Sequence, residues 1–175
     1  MDTLDRISIW AIVILIVTSF VLSGGHSGEA RPGSKQKQRI AAADYAVINI
    51  EIEKKVKLAK NLLESNNLDK AELLVKEMIE KFPYEGSPHM IMGDILMRRQ
   101  EQVKAMPEYK EAVDLNPDYL DKKTDLFQGK KLKVAVDEAL DEIEMELKAN
   151  PGDKSMKDSR KLIYYLKRRI AGSCG

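Results

Sequence analysis

The sequence predicts an all-α protein: a short solenoid of helical hairpins, closed by a C-terminal capping helix and preceded by a single transmembrane helix. Three observations carry that expectation. Residues 7–22 form an uninterrupted apolar run, residues 52–153 are self-similar at a period of 34, and residues 154–171 carry a one-sided apolar stripe. Composition narrows the remainder. Among 175 residues, 29 basic and 28 acidic side chains leave a net charge of +1, too little for a chain built mainly to bind nucleic acid. One cysteine excludes a disulfide framework, and two isolated histidines exclude a His/Cys metal cluster. Hydrophobic residues make up 43% while mean hydropathy is −0.37, so the apolar residues are concentrated rather than spread evenly.

The N-terminal element is ISIWAIVILIVTSFVL at 7–22, followed by Ser23, Gly24 and Gly25, all uncharged. At about 1.5 Å per residue this run approaches the roughly 30 Å of a bilayer's hydrocarbon core. A buried core helix is the competing reading, but a run at the extreme N-terminus that is apolar on every face is expected to span a membrane instead. Ser23 and Gly25 also have the small-residue spacing that a signal peptidase accepts, so an export signal is the competing reading. Against cleavage, the leading MDTLDR sets one Arg against two Asp, and the run exceeds the ordinary signal core of about 7–15 residues. A retained anchor over residues 1–25 is expected. Arg6 precedes the run, whereas Arg31, Lys35, Lys37 and Arg39 follow it, which places the main domain on the cytoplasmic side by the positive-inside rule. A periplasmic domain is the alternative, because long domains translocate largely regardless of charge.

Residues 24–39 hold four of the ten glycines, one proline and no large apolar residue. Such a composition cannot bury a core, so residues 26–39 are expected to be a flexible tether with His26 in solvent. The remaining domain, 40–175, carries 24 basic and 25 acidic side chains and is close to neutral.

Self-comparison of that domain is the informative step. A shift of 34 residues superimposes Ala71, Ala105 and Ala139, then Pro83, Pro117 and Pro151; Leu62 falls on Leu96, Ala59 on Gly93, and Leu58 on Met92. Small residues at Ala59 and Gly93 allow a second helix, carrying Ala71 or Ala105, to approach closely. Leu62, Leu68 and Val75 fill the space around that crossing. Phe82, Asn116 and Asn150 each precede a proline, which disfavours continuing an α-helix and ends the second helix of each unit.

This pattern resembles the tetratricopeptide repeat, a helix–turn–helix unit of 34 residues. The resemblance covers units 52–85, 86–119 and 120–153, of which two are clear and the third is degenerate. It implies a curved array that binds protein or peptide partners. The chain departs from the family at several positions. The fourth position of each unit, ordinarily aromatic or large, is Lys55, His89 and Lys123; His89, directly after Pro88, is expected to start a helix rather than act as ligand or base. Pro107 lies within the second helix of the second unit, where an interior proline costs about 3 kcal/mol. That helix is therefore expected to start near Ala105 after a long turn over 98–104. In the third unit, Phe127 occupies a small-residue position and Gly129 interrupts the first helix, so a short or irregular element is expected there.

Residues 40–51 add an extension whose Ala43, Val47 and Ile50 have helical spacing and point towards Leu58. Ile48, Ile50 and Ile52 also alternate as in a strand, but a lone strand would have no partner. At the far end, Leu162, Ile163, Leu166 and Ile170 mark the inner face of a capping helix over 154–171, the terminal cover that repeat arrays require.

Two surfaces are candidates for function. The carboxylate clamp by which some relatives hold peptide C-termini is missing: its Lys and Asn positions hold Val56 and Lys60 in the first unit, and its next Asn position holds Ile91. In its place stands an apolar groove. Met90, Asp94, Met97 and Arg98 share one helix face by i, i+4, i+7, i+8 spacing, and Val56, Lys60 and Leu63 share another. Methionine adapts its shape and suits a partner's apolar helix or strand. The competing reading makes Met90 and Met97 core residues covered by the third unit or the capping helix. The second surface is electrostatic. Asp137, Glu138, Asp141, Glu142, Glu144 and Glu146 precede a basic last helix with Lys154, Lys157, Arg160, Lys161, Lys167, Arg168 and Arg169. Antiparallel packing would bring the two runs together; contact of the basic helix with anionic lipid or RNA is the functional alternative. Cys174 has no accompanying His or second Cys and is expected to be free and incidental.

No phosphate-binding Gly loop, nucleophile elbow or paired-His motif is present, so neither enzymatic activity nor a cofactor is expected. The expectation is a membrane-tethered adaptor that assists assembly of a membrane-associated complex. A permanent structural subunit, or a cleaved and exported chaperone, are the alternatives.

Overall fold

The computed structural model describes the backbone of residues 32–173 and side chains from Val47 to Gly172. The apolar run 7–22, the possible cleavage site and Cys174 lie outside the described residues. Among the described residues no helix is long and apolar enough to cross a membrane.

The described chain is all-helical: α1 (Pro32–Glu64), α2 (Leu68–Lys81), α3 (Gly86–Arg98), α4 (Gln102–Leu115), a 3-10 turn (Pro117–Leu120), α5 (Gly129–Ala149) and α6 (Lys154–Ser173). A compact unit begins at Val47 and contains everything from there on; residues up to Ala46 form a separate unit, whose described part is the first portion of α1. The helix therefore starts inside the stretch 26–39 that composition marks as a tether. Pro32 supplies a pre-set φ at the first helical position, and Lys35, Gln36, Lys37, Gln38 and Arg39 are good helix formers. Residues 48–52 are helical rather than extended. Val47, Ile50 and Leu58 nevertheless remain 65%, 51% and 51% exposed, so the predicted stripe does not join the core.

The helix stops recur at the predicted period. Helix α1 ends with Asn66 in the left-handed region (φ 56°) and α3 ends with Gln100 likewise (φ 61°). Both ends close as Schellman motifs. Asn67 N–H donates to the Leu62 carbonyl at 2.8 Å, and Glu101 N–H donates to the Leu96 carbonyl at 2.9 Å. The second helix of each unit also ends alike. Phe82, Asn116 and Asn150 are the C-cap residues, their N–H groups donating to Met78, Ala112 and Glu146, and each directly precedes its proline.

The start of α4 needs correction. Helix α4 begins at Gln102, so the turn after α3 is short and Pro107 sits inside the helix. Pro107 is exposed, so its ring projects into solvent and the missing hydrogen bond falls on the outer face. The Val103 N–H, without a partner inside its own helix turn, donates to the Glu142 carboxylate at 3.3 Å. The third unit has the short, irregular element expected of it: the 3-10 turn and the segment 121–128 stand where its first helix would lie. That segment is held by local bonds: Thr124 Oγ1 donates to the Asp118 carbonyl at 2.8 Å, and Gln128 N–H donates to the Tyr119 carbonyl at 2.7 Å.

Packing divides into two apolar clusters. The smaller holds Ala59, Leu63, Ala71, Val75, Ile91, Met92 and Ile95, with Leu62 and Leu68 at its edge. The larger is centred on α4, α5 and α6 and includes Tyr109, Leu132, Ile143, Ile163, Leu166 and Ile170. Leu96 packs against both. Gly93 is the tightest crossing: a Cβ there would lie 2.4 Å from the Tyr109 ring. Its counterpart is thus an aromatic ring, with Ala105 fully buried nearby in sequence.

The acidic and basic runs meet only in part. Lys167 pairs with Asp137 at 3.1 Å and Tyr164 Oη lies 3.5 Å from Glu144. Arg169 reaches Asp114 on α4 instead, and Lys161 pairs with Asp158 of its own helix. Their inner faces are apolar, so burial of Ile163, Leu166 and Ile170 sets how α6 sits.

Candidate protein-binding groove

The seven groove residues expected from the sequence line two adjoining cavities of about 470 Å³ and 460 Å³. Val56, Lys60 and Met90 line the first, Leu63, Met97 and Arg98 the second, and Asp94 both. Helical spacing explains the division. Residues three and four apart on α1 and α3 share a face, and the second cavity lies one to two turns further along each helix.

Asp94 is the pivot between them. Tyr109 Oη donates to it at 2.7 Å, and Lys131 Nζ reaches its two carboxylate oxygens at 2.8 and 2.9 Å. Lys131 also lies 5.6 Å from the centroid of the Tyr109 ring. Burial, and then the Asp94 charge beside it, push the Tyr109 hydroxyl far above its ordinary range, which keeps it a donor. The Asp94 carboxylate is therefore spent inside the fold, tying α3 to α4 and α5. Lys131 likewise lines both cavities.

The two methionines separate. Met90 is 5% exposed and belongs to the larger core cluster, so it forms the floor of the first cavity. Met97 is half-buried at the second cavity. Leu63 is buried, Val56 half-buried, and Lys60 and Arg98 exposed. The sequence reading missed the far walls. Leu126, from the irregular segment, and Val134, on α5, are 46% and 58% exposed at the first and second cavities. Tyr119 and Lys131 complete the first. No sequence signal pointed to these four; the small residue at Gly93 implies only a large one opposite, which is Tyr109 at the second cavity.

With Asp94 and Lys131 neutralising one another, the first cavity keeps three acids, Glu53, Glu85 and Asp125, against one base, Lys60. Its rim is acidic over an apolar floor of Ile52, Met90 and Ile91. His89 Nδ1 lies 2.8 Å from Glu108, linking α3 to α4 outside both cavities. Among the described residues, no group of three or more His, Cys, Asp or Glu is arranged to hold a metal ion.

No protein-family model matches the chain, and no curated protein sequence matches it significantly.

Proposed function

We propose that this chain is a membrane-tethered adaptor of the tetratricopeptide type, which binds a segment of another protein in the groove and helps assemble a membrane-associated complex. The observation that carries the reading is the pair of adjoining cavities with exposed Leu126 and Val134 beside half-buried Met97. Helix ends that repeat 34 residues apart support the repeat assignment: Asn66 and Gln100 in one conformation, and Phe82, Asn116 and Asn150 in another. The partner segment is an amphipathic one with apolar side chains for the floor and Lys or Arg for Glu53, Glu85 and Asp125. The mechanism is passive: the anchor over residues 1–25 holds the groove near the bilayer, on its cytoplasmic side, and raises the partner's local concentration. Neither catalysis nor a cofactor belongs to this reading.

The test places a photo-crosslinking residue at Val134 in the full chain, in its native membrane. The expected product is one discrete adduct whose cross-linked segment has an apolar face and basic flanks. Glu53→Lys with Asp125→Lys lowers its yield about tenfold or more, and Met97→Lys with Leu126→Lys abolishes it. An unchanged melting temperature shows that the fold survives. Equal yield in the charge-reversed variant overturns the reading.

A further inference from the structure

Helix α6 holds the largest charge imbalance in the described chain: seven basic residues, from Lys154 to Arg169, against one acid, Asp158. Arg169, Lys167 and Lys161 are engaged by Asp114, Asp137 and Asp158. Lys154, Lys157, Arg160 and Arg168 are exposed and form no ion pair among the described residues. Lys157, Lys161, Tyr164 and Arg168 follow one another at i, i+4, i+7 and i+11, on the side opposite the buried Ile163, Leu166 and Ile170. Arg160, Lys161, Tyr164 and Arg168 line a shallow concavity of about 370 Å³, and no acid lines it. Two acids of α5 reach α6: Asp137 at Lys167, and Glu144, whose carboxylate lies 3.5 Å from the hydroxyl of Tyr164 on the outer face.

We propose that the outer face of α6 docks on an anionic lipid bilayer, with phosphate-bearing headgroups taken up at Arg160 and Arg168, beside the Asp158-paired Lys161. Guanidinium and ammonium donors around a concavity fit a phosphodiester, and the 40% exposed Tyr164 has the apolar body and polar tip that suit the headgroup layer. A nucleic-acid site would stack bases on a series of aromatic rings, and this face offers one. No residue of α6 lines either groove cavity, so a bilayer on this face leaves both open to a partner. The proposal leans on the proposed tether only in choosing a bilayer over other polyanions.

The test uses the full chain held in nanodiscs of phosphatidylcholine alone, mixed with sedimenting vesicles. The expected result is association with vesicles containing about 30% phosphatidylglycerol and none with phosphatidylcholine vesicles. Lys157→Glu, Arg160→Glu and Arg168→Glu together weaken that association on the order of 100-fold, at unchanged helical content, and about 0.5 M salt suppresses it. Equal association with both vesicles, or an unaffected triple variant, overturns the proposal. Tighter binding to a single-stranded RNA than to the anionic vesicles also overturns it and assigns the face to nucleic acid. A chain that fails to enter nanodiscs refutes the tether alone, and the vesicle assay is then run on the free chain with the same outcomes.

Discussion

The second hairpin, α3–α4, and the third unit carry the same stop signals but differ in structure. Both end at an Asn–Pro pair whose Asn caps the final helix, at Asn116 and at Asn150. The second hairpin has Gly93 at its crossing, and the Tyr109 ring packs directly onto that backbone. The third unit has Phe127 at the equivalent position, and no α-helix forms before Gly129; the Phe127 ring instead lies over Gly129. A large side chain at the crossing excludes close helix approach, and the chain turns irregularly. That loss has a consequence at the groove, since the irregular segment presents Leu126 at the first cavity.

The largest expected effect tests the crossing itself. Gly93→Ala puts a methyl group 2.4 Å from a ring that is 1% exposed and anchored by Asp94, so unfolding free energy should fall by about 3 kcal/mol. Thermal or urea denaturation measures it; a loss under about 1 kcal/mol would show that the Tyr109 ring moves freely and that the crossing is not tight. Gly129→Ala makes a nominal contact almost as short, 2.5 Å, but with the partly exposed Phe127 ring, which can swing aside. A change within about 1 kcal/mol is expected there, and the difference between the two substitutions measures how much tighter the second hairpin is.

The smallest effect concerns the joint between the first two hairpins. Glu72 accepts from Lys76 and from Arg99, and these bonds hold its carboxyl below the ordinary value of 4.5. A carboxyl whose value is depressed by folding stabilises the fold above its unfolded value. That contribution is lost as pH falls below 4.5 and through the folded value. Glu72→Gln should therefore flatten the acid limb of melting temperature against pH, by an amount equivalent to at most about 1 kcal/mol. An unchanged slope would mean that the Arg99–Glu72 pair forms no tighter in the folded chain than in the unfolded one.

Most helix ends were legible because they depend on neighbours in the chain. A residue before proline stops a helix whatever surrounds it, which is why Phe82, Asn116 and Asn150 fall where the period places them. The start of α4 departs from the local pattern for the complementary reason. The cost of Pro107 depends on whether its face is solvated, and the Val103 N–H finds its acceptor on α5, 39 residues away. Glycine content marks residues 26–39 as a tether, yet α1 starts at Pro32 because the Lys and Gln residues that follow it are strong helix formers.

The groove shows the same division. Helical spacing alone placed Met90, Asp94, Met97 and Arg98 on one helix face and Val56, Lys60 and Leu63 on another, since residues on one helix keep their angular relation in any packing. It did not tell Met90 from Met97, because burial depends on what arrives from elsewhere. The all-helical character, the 34-residue rhythm and the positions of the helix stops were thus determined by the sequence alone, through local sterics and side-chain periodicity. Tertiary structure decided that Asp94 is neutralised by Lys131, 37 residues on, and that Met90 is floor while Met97 is lip. Those outcomes rest on contacts between distant segments, which no local pattern encodes.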